Sequence, residues 1–221
     1  ISSDFHTPAM ANIIQGKLSA VNALSFDLNA ACSGFVYAVD TARRFLETDE
    51  NMKYAIVVAS ENLSRVVDFN DRNTCILFGD GAAAAVISKS DTLYSSYLGS
   101  DGSIANVLFA RSVNTNEKFA VESDFNDGFE GNNMHAIYQN GKEVYKFAVK
   151  ALPHAFEKSA EKIGISADEI DLFVPHQANL RILETAAKNL GVSMDKFFVS
   201  LDKFGNTSSA SIPIALDIAL E

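Results

Sequence analysis

The chain has no tryptophan, only two cysteines and no cluster of basic residues, and these shortages limit what it can do. Its cysteines, Cys32 and Cys75, are spaced neither as a disulfide framework nor as a zinc site. The formal net charge is -10, and Lys and Arg form no run, which argues against nucleic-acid binding. No apolar stretch reaches membrane-spanning length, and no signal peptide is visible. We therefore expect a cytoplasmic protein with free thiols and no bound metal, nucleic acid or membrane.

What remains is the composition of a globular protein with one or two domains. Of 221 residues, 48% are hydrophobic and 21% are charged, which suffices for a substantial core. Apolar runs at 54–59 and 82–87 predict strands of an α/β fold, in a sheet covered on both faces. The polar segment 92–135 reads as an edge strand and a loop. Because the chain begins at Ile1 and stops at Glu221 within a helical pattern, we expect a piece of a longer protein.

Helix signals are clear in the second half of the chain. Apolar positions at helical spacing predict a long helix from residue 143. Ser166 and Glu169 form a capping-box pattern. A further helix is predicted to open at Asn179 and to close at Gly191.

Cys32 stands where a strand-like pattern changes into a helical one. Leu24, Phe26 and Leu28 alternate as in a strand, and helical spacing of apolar residues begins at Phe35. The turn between them contains small residues, as a nucleophile elbow does: Ala30, Ala31, Ser33 and Gly34. A thiol in the first turn of a helix meets unpaired N–H groups, which stabilise the thiolate and lower the thiol pKa. The pattern predicts a nucleophilic cysteine.

Two more polar residues are placed where the chain is predicted to leave a strand. His176 follows the apolar run 172–175, and Asn206 lies between a predicted strand at 198–201 and a helix starting near Ser208. Because chemistry in α/β proteins gathers at the carboxyl ends of strands, we expect thiol, imidazole and carboxamide to meet. Together they can supply what acyl transfer needs, namely a nucleophile, a proton-handling group and hydrogen-bond donors. The other histidines are expected at the surface or on a helix face: His6, His135 and His154.

Papain-like proteases share the order Cys, His, Asn and a similar spacing between the first two. Their nucleophile lies in a Cys-Gly-Ser/Ala-Cys-Trp/Tyr cluster. Here the local sequence is Ala31-Cys32-Ser33-Gly34, and the chain has no tryptophan at all. The surroundings of the cysteine therefore disfavour a protease.

Four sequence blocks occur in an order that is specific to one family. They are DLNAACSGF at 27–35, FGDGA at 78–82, VPHQANLR at 174–181 and GNTS at 205–208. With these blocks, nearly the whole chain resembles the β-ketoacyl-acyl carrier protein synthase III enzymes of the thiolase fold. The resemblance implies a layered α/β/α/β/α fold of two duplicated halves, here without its N- and C-terminal segments. Residues 1–92 would be the end of the first half, and residues 93–221 most of the second.

The resemblance also implies roles for the three polar residues. Cys32 matches the nucleophile that an acyl-CoA primer acylates, and His176 and Asn206 match the pair that binds the malonyl thioester carbonyl. The implied reaction is a decarboxylative Claisen condensation with malonyl-acyl carrier protein, which initiates fatty acid synthesis. Two alternatives stay open, a related polyketide or quinolone-type synthase and an inactive truncated chain.

Binding residues and partners follow from the same resemblance. Arg72 matches the arginine that stacks on the coenzyme A adenine, and Gly141 is assigned to the same binding site. Arg181 and Lys146 match basic positions that receive the acidic carrier protein. The resemblance implies a homodimer, and no cofactor beyond the coenzyme A thioester that serves as substrate.

Overall fold

The computed structural model describes residues 1–110 and 136–221. Residues 111–135, which belong to the predicted edge strand and loop at 92–135 and include His135, therefore lie outside the described residues. The helices are α1 (Met10–Lys17), α2 (Gly34–Thr48), α3 (Arg72–Cys75), α4 (Gly141–Glu161), α5 (Leu180–Leu190), α6 (Leu201–Phe204) and α7 (Ser211–Ala219). The strands are β1 (Tyr54–Asn62), β2 (Asp80–Ser88), β3 (Leu108–Ala110) and β4 (Ile137–Gln139).

The first half is organised around the antiparallel pair β1 and β2. Its register runs from Tyr54 opposite Ser88 to Asn62 opposite Asp80. Alternate side chains point to one face, where α2 and α7 pack against the pair. The core beneath these helices is a small apolar cluster: Phe35, Val57, Ala59 and Ala210.

The other face of this pair is exposed, so the prediction of a sheet covered on both faces is wrong for the described chain. Tyr54, Ile56 and Val86 are 71%, 54% and 68% exposed. A continuous apolar run shows that a strand is hydrophobic, but it does not show whether any element lies on each face. In the described residues, the helices that pack on β1 and β2 lie on one side.

The second half packs α4 against α5. Leu183 is fully buried between them, and Phe197 stacks on Phe173 with ring centroids 4.7 Å apart. Asn179 caps α5, since its side-chain oxygen accepts the backbone N–H two residues later. Gly191 ends the helix in the left-handed conformation, with φ of 70°. The predicted ends of α5 are therefore confirmed.

Three predicted strands are absent. The apolar run 172–175 before His176 has only a single bridge, from Phe173 to Phe197. Residues 24–28 form no strand, and Leu24, Phe26 and Leu28 are 63%, 48% and 36% exposed. The segment predicted as a strand at 198–201 has a bridge beside it at Phe197 and then enters α6. A strand requires a partner for its backbone groups, and local alternation does not supply one.

Candidate active site

Cys32 lies in the one-turn 3₁₀ helix Ala31–Ser33, directly before α2. The preceding residue, Ala31, has φ of 45°, a left-handed conformation that is uncommon outside glycine. This turn packs against a second one, Ser208–Ala210, in which Ser208 also has a positive φ of 50°. Two sharp turns, far apart in the sequence, thus meet at the thiol.

The electrostatic surroundings of Cys32 favour its thiolate form. Burial raises the pKa of the thiol, but the positive charge and the hydrogen bond of His176, with a contribution from Ser208, bring the pKa below its ordinary value. His176 lowers the pKa of this thiol more than Ser208 does. The negative charge of Glu61 acts in the opposite direction.

Glu61 is a buried carboxylate at the end of β1. It is 5% exposed and accepts hydrogen bonds from the hydroxyls of Ser2 at 2.6 Å and Ser209 at 2.7 Å. Burial raises the pKa of this carboxyl, but the two hydroxyls hold the pKa below its ordinary value. The charge of Glu61 therefore opposes the thiolate of Cys32, whereas His176 favours it.

His176 is held in place through its Nδ1 atom. Nδ1 lies 2.6 Å from the hydroxyl oxygen of Ser211, the first residue of α7. This contact leaves Nε2 as the ring atom available for chemistry. The sequence blocks did not single out Ser211, which lies three residues beyond the GNTS block.

Asn206 is fixed by pairing with the segment before β2. Its N–H donates to the Leu77 carbonyl at 2.8 Å, and its carbonyl accepts the Gly79 N–H at 2.9 Å. Its side-chain oxygen accepts the Ser208 N–H at 2.9 Å, so the amide offers its NH₂ group as donor. With Ser208 beside Cys32, the structure brings the three predicted catalytic residues to one site.

Comparison with known proteins identifies the family. Residues 26–102 match the family profile of 3-oxoacyl-[acyl-carrier-protein] synthase III, and residues 160–221 match the profile of its C-terminal region. The chain belongs to this synthase III family. A β-ketoacyl-[acyl-carrier-protein] synthase III from Clostridium acetobutylicum is 47% identical over 218 residues. The match covers 98% of this chain and 65% of that relative, so the chain spans about two thirds of its length.

Solved structures of synthase III confirm the predicted α/β thiolase-like fold. The enzyme from Thermus thermophilus superposes with a TM-score of 0.87 at 38% identity, covering 100% of this chain and 66% of that one. A priming β-ketosynthase of the R1128 polyketide pathway gives a TM-score of 0.83 at 35% identity, covering 99% and 64%. The two halves predicted at 1–92 and 93–221 stay a prediction.

The position of Asn206 explains why two of the synthase III sequence blocks contain glycine. A Cβ on Gly79 would lie 2.1 Å from the Phe204 carbonyl oxygen, so only glycine allows the approach. Gly205 has φ of 64°, a conformation that also favours glycine. The FGDGA and GNTS blocks therefore pack against each other, which the sequence pattern did not predict.

Gln177 is a second residue that sequence reasoning missed. It is 1% exposed, and its amide donates to the carbonyls of Pro175 at 2.9 Å and Phe198 at 3.1 Å. Its side-chain oxygen accepts the Ser200 N–H at 3.0 Å. A buried amide with these partners fixes the backbone on either side of His176. The sequence signal for Gln177 is its position between His176 and Ala178 in the VPHQANLR block.

The predicted binding residues are distributed over the surface. Arg181 lines an open cavity of about 430 Å³, whose walls also include Ala178, next to Gln177, and Gly205, next to Asn206. Three others are exposed and do not belong to this lining: Arg72 begins α3, Gly141 begins α4, and Lys146 lies 2.7 Å from Glu143. Of the described helices, none is both long and apolar enough to cross a membrane.

Proposed function

We propose that the protein condenses an acyl-CoA primer with malonyl-acyl carrier protein, releasing CO₂ and forming a β-ketoacyl-carrier protein that starts fatty acid synthesis. The observation that carries the proposal is that the turn of Cys32 packs against the turn that follows Asn206, and that Ser211, directly after this second turn, contacts His176. His176 also favours the thiolate of Cys32. A thiolate beside an imidazole is the activated nucleophile that a thioester substrate requires. Membership in the synthase III family supports the same reaction.

In the first step Cys32 becomes acylated. His176 Nε2 takes the thiol proton, and the sulfur attacks the thioester carbonyl of the primer. The Cys32 backbone N–H donates to the oxyanion that forms. The bond to coenzyme A then breaks, and the departing sulfur takes the proton from Nε2. The products are an acyl-cysteine and free coenzyme A.

In the second step the malonyl thioester loses its carboxylate as CO₂, which leaves an enolate. Its oxygen carries negative charge, and two fixed donors, His176 Nε2–H and the Asn206 amide, stabilise it. The enolate carbon attacks the acyl carbonyl on Cys32, and the thiolate is released. These side chains and the two thioesters supply the proposed chemistry without a cofactor.

The cavity beside Arg181 suits the arrival of a long thioester arm, because its walls adjoin the segments of His176 and Asn206. Arg181 is the residue that we propose contacts the acidic carrier protein, whereas Lys146 already pairs with Glu143. We propose that Arg72 and Gly141 bind coenzyme A. We also propose that the protein is a homodimer in the cytoplasm. A reducing compartment suits the free thiol.

A second candidate is a priming synthase for polyketide assembly. The likeness to the R1128 priming β-ketosynthase, at 35% identity, favours it. Both candidates use the same acylated cysteine, so they differ in primer length and in the acceptor carrier. Rates measured with a series of primer lengths and both kinds of carrier protein separate the two.

The proposal is tested by intact-mass measurement of the natural full-length protein after incubation with acyl-CoA. Wild type and the control Cys75→Ala should each gain one acyl group, because both retain the proposed nucleophile, Cys32. Cys32→Ala should gain none. A stoichiometric adduct on Cys32→Ala, or no adduct on wild type with any primer, would refute the assignment and favour an inactive protein.

A further inference from the structure

The Ser211 hydroxyl contacts three groups but has only one proton to donate. Ser211 is 2% exposed, and its Oγ lies 2.6 Å from His176 Nδ1, 2.9 Å from the Ser208 carbonyl oxygen and 3.4 Å from the Gln177 nitrogen. The Gln177 N–H can only donate, and the Ser208 carbonyl can only accept. The direction of the contact with Nδ1 therefore depends on where the hydroxyl proton points.

Two arrangements of this proton satisfy every partner. If the hydroxyl donates to the Ser208 carbonyl, then Nδ1 must carry a proton and donate to Oγ. If the hydroxyl rotates toward the ring, it donates to Nδ1, and the proton of a neutral ring lies on Nε2. The Ser208 carbonyl keeps a partner in the second arrangement, because it also accepts the Ser211 backbone N–H. Neither arrangement leaves a buried group unpaired.

We propose that Ser211 is a positioning residue that supports His176 in both protonation states that the reaction needs. While Cys32 is free, the imidazolium Nδ1–H donates to Ser211 and sustains the ion pair with the thiolate. The second state rests on the proposed function: after acylation the neutral ring exchanges its Nδ1 proton for one on Nε2 through water. Ser211 then donates to Nδ1 and keeps Nε2–H as the donor for the malonyl thioester.

The charges around the thiol make this support necessary. The charged groups that act on Cys32 are His176, which favours the thiolate, and Glu61, which opposes it. Without an acceptor for Nδ1–H, a half-buried imidazolium leaves one donor unpaired and becomes less stable. Loss of the Ser211 hydroxyl should therefore reduce the thiolate population of Cys32, although Ser211 does not touch the sulfur in the proposed arrangement.

The first test is the pH dependence of Cys32 alkylation by iodoacetamide, in the natural full-length protein carrying Cys75→Ala. Ser211→Ala should move the midpoint about one pH unit upward, which corresponds to roughly tenfold less thiolate at neutral pH. Ser211→Thr keeps the hydroxyl and should return the midpoint toward that of the unsubstituted protein. Thr207→Val is the matched control, since it removes a buried hydroxyl that has no hydrogen-bond partner among the described residues. An unchanged midpoint in Ser211→Ala overturns the proposal.

The second test needs no variant of Ser211. In wild type with Cys32 carbamidomethylated, ¹⁵N NMR of the neutral His176 ring should show a proton on Nε2 and none on Nδ1. A proton on Nδ1 would overturn the second state. Neither measurement requires condensation, so a protein that fails to condense but shows both results would disprove the proposed function alone.

Discussion

Replacing Gly79 with alanine should damage the site through the backbone. The new Cβ would lie 2.1 Å from the Phe204 carbonyl oxygen and 3.3 Å from the carbonyl carbon. Ordinary contacts between such atoms need more than 3 Å, so one segment must move by about 1 Å. Both atoms belong to backbone, which cannot turn aside as a flexible side chain can. The segment displaced is the one that leads into Asn206.

The size of the effect follows from two hydrogen bonds. The Asn206 N–H donates to Leu77 at 2.8 Å, and the Gly79 N–H donates to Asn206 at 2.9 Å. Each bond contributes about 1 kcal/mol, so losing both should lower the free energy of unfolding by about 2 kcal/mol. A displacement of about 1 Å at Asn206 should slow the step that uses its amide by about 100-fold.

Urea unfolding and CO₂ release from a malonyl thioester measure the two effects in the natural full-length protein. Gly16→Ala is the matched control, because a Cβ there meets nothing within 4 Å and Gly16 lies inside α1. That variant should be up to about 1 kcal/mol more stable, with unchanged CO₂ release. Wild-type stability and CO₂ release in Gly79→Ala would show that Asn206 is not held by this pairing.

Two more predictions concern charged residues. Asp40 is 1% exposed; burial raises its pKa, but hydrogen bonds from Arg44 and Ser96 outweigh burial and lower the pKa from 3.8 to about 2. Because the folded-state pKa is depressed, the stabilisation is full above pH 3.8 and is lost as the pH falls toward 2. Asp40→Asn should therefore cost about 2 kcal/mol at neutral pH and much less near pH 2 in urea unfolding; an equal loss at both values would contradict this. Arg181→Glu should raise the KM for malonyl-carrier protein more than tenfold, whereas Lys146→Glu should change it less, because Lys146 is already paired within α4. Equal effects of the two substitutions would argue against docking at the cavity.

Features that depend on a few neighbouring residues could be predicted from the sequence. The ends of α5 follow from an asparagine whose side chain caps the first turn and a glycine that can adopt positive φ. The capping box of Ser166 and Glu169 is present, although it opens only a short 3₁₀ turn. In each case the stabilising contact spans at most a few residues, so the local pattern contains the needed information.

Features that depend on distant partners could not be predicted in this way. The pairing of Asn206 with Leu77 and Gly79 joins segments more than a hundred residues apart, and nothing in either segment alone specifies it. The strand predicted before Cys32 does not form, yet the predicted turn and helix start at Cys32 are confirmed, because both are local features. The family resemblance predicted that these distant residues act together, and the structure shows the contacts between their segments.

Two features are expected to stabilise the thiolate of Cys32, and a measurement separates them. The sequence pattern predicts a low pKa from the start of α2, and the interactions of His176 also lower the pKa of the thiol. His176→Ala should therefore raise the alkylation pKa of Cys32 and slow acylation, in addition to blocking CO₂ release. Asn206→Ala removes a donor for the enolate but leaves this charge in place, so it should block CO₂ release while acylation continues at nearly the wild-type rate. If both variants acylate equally fast at neutral pH, the activation of Cys32 lies in the helix start after all, and His176 acts only in the second step.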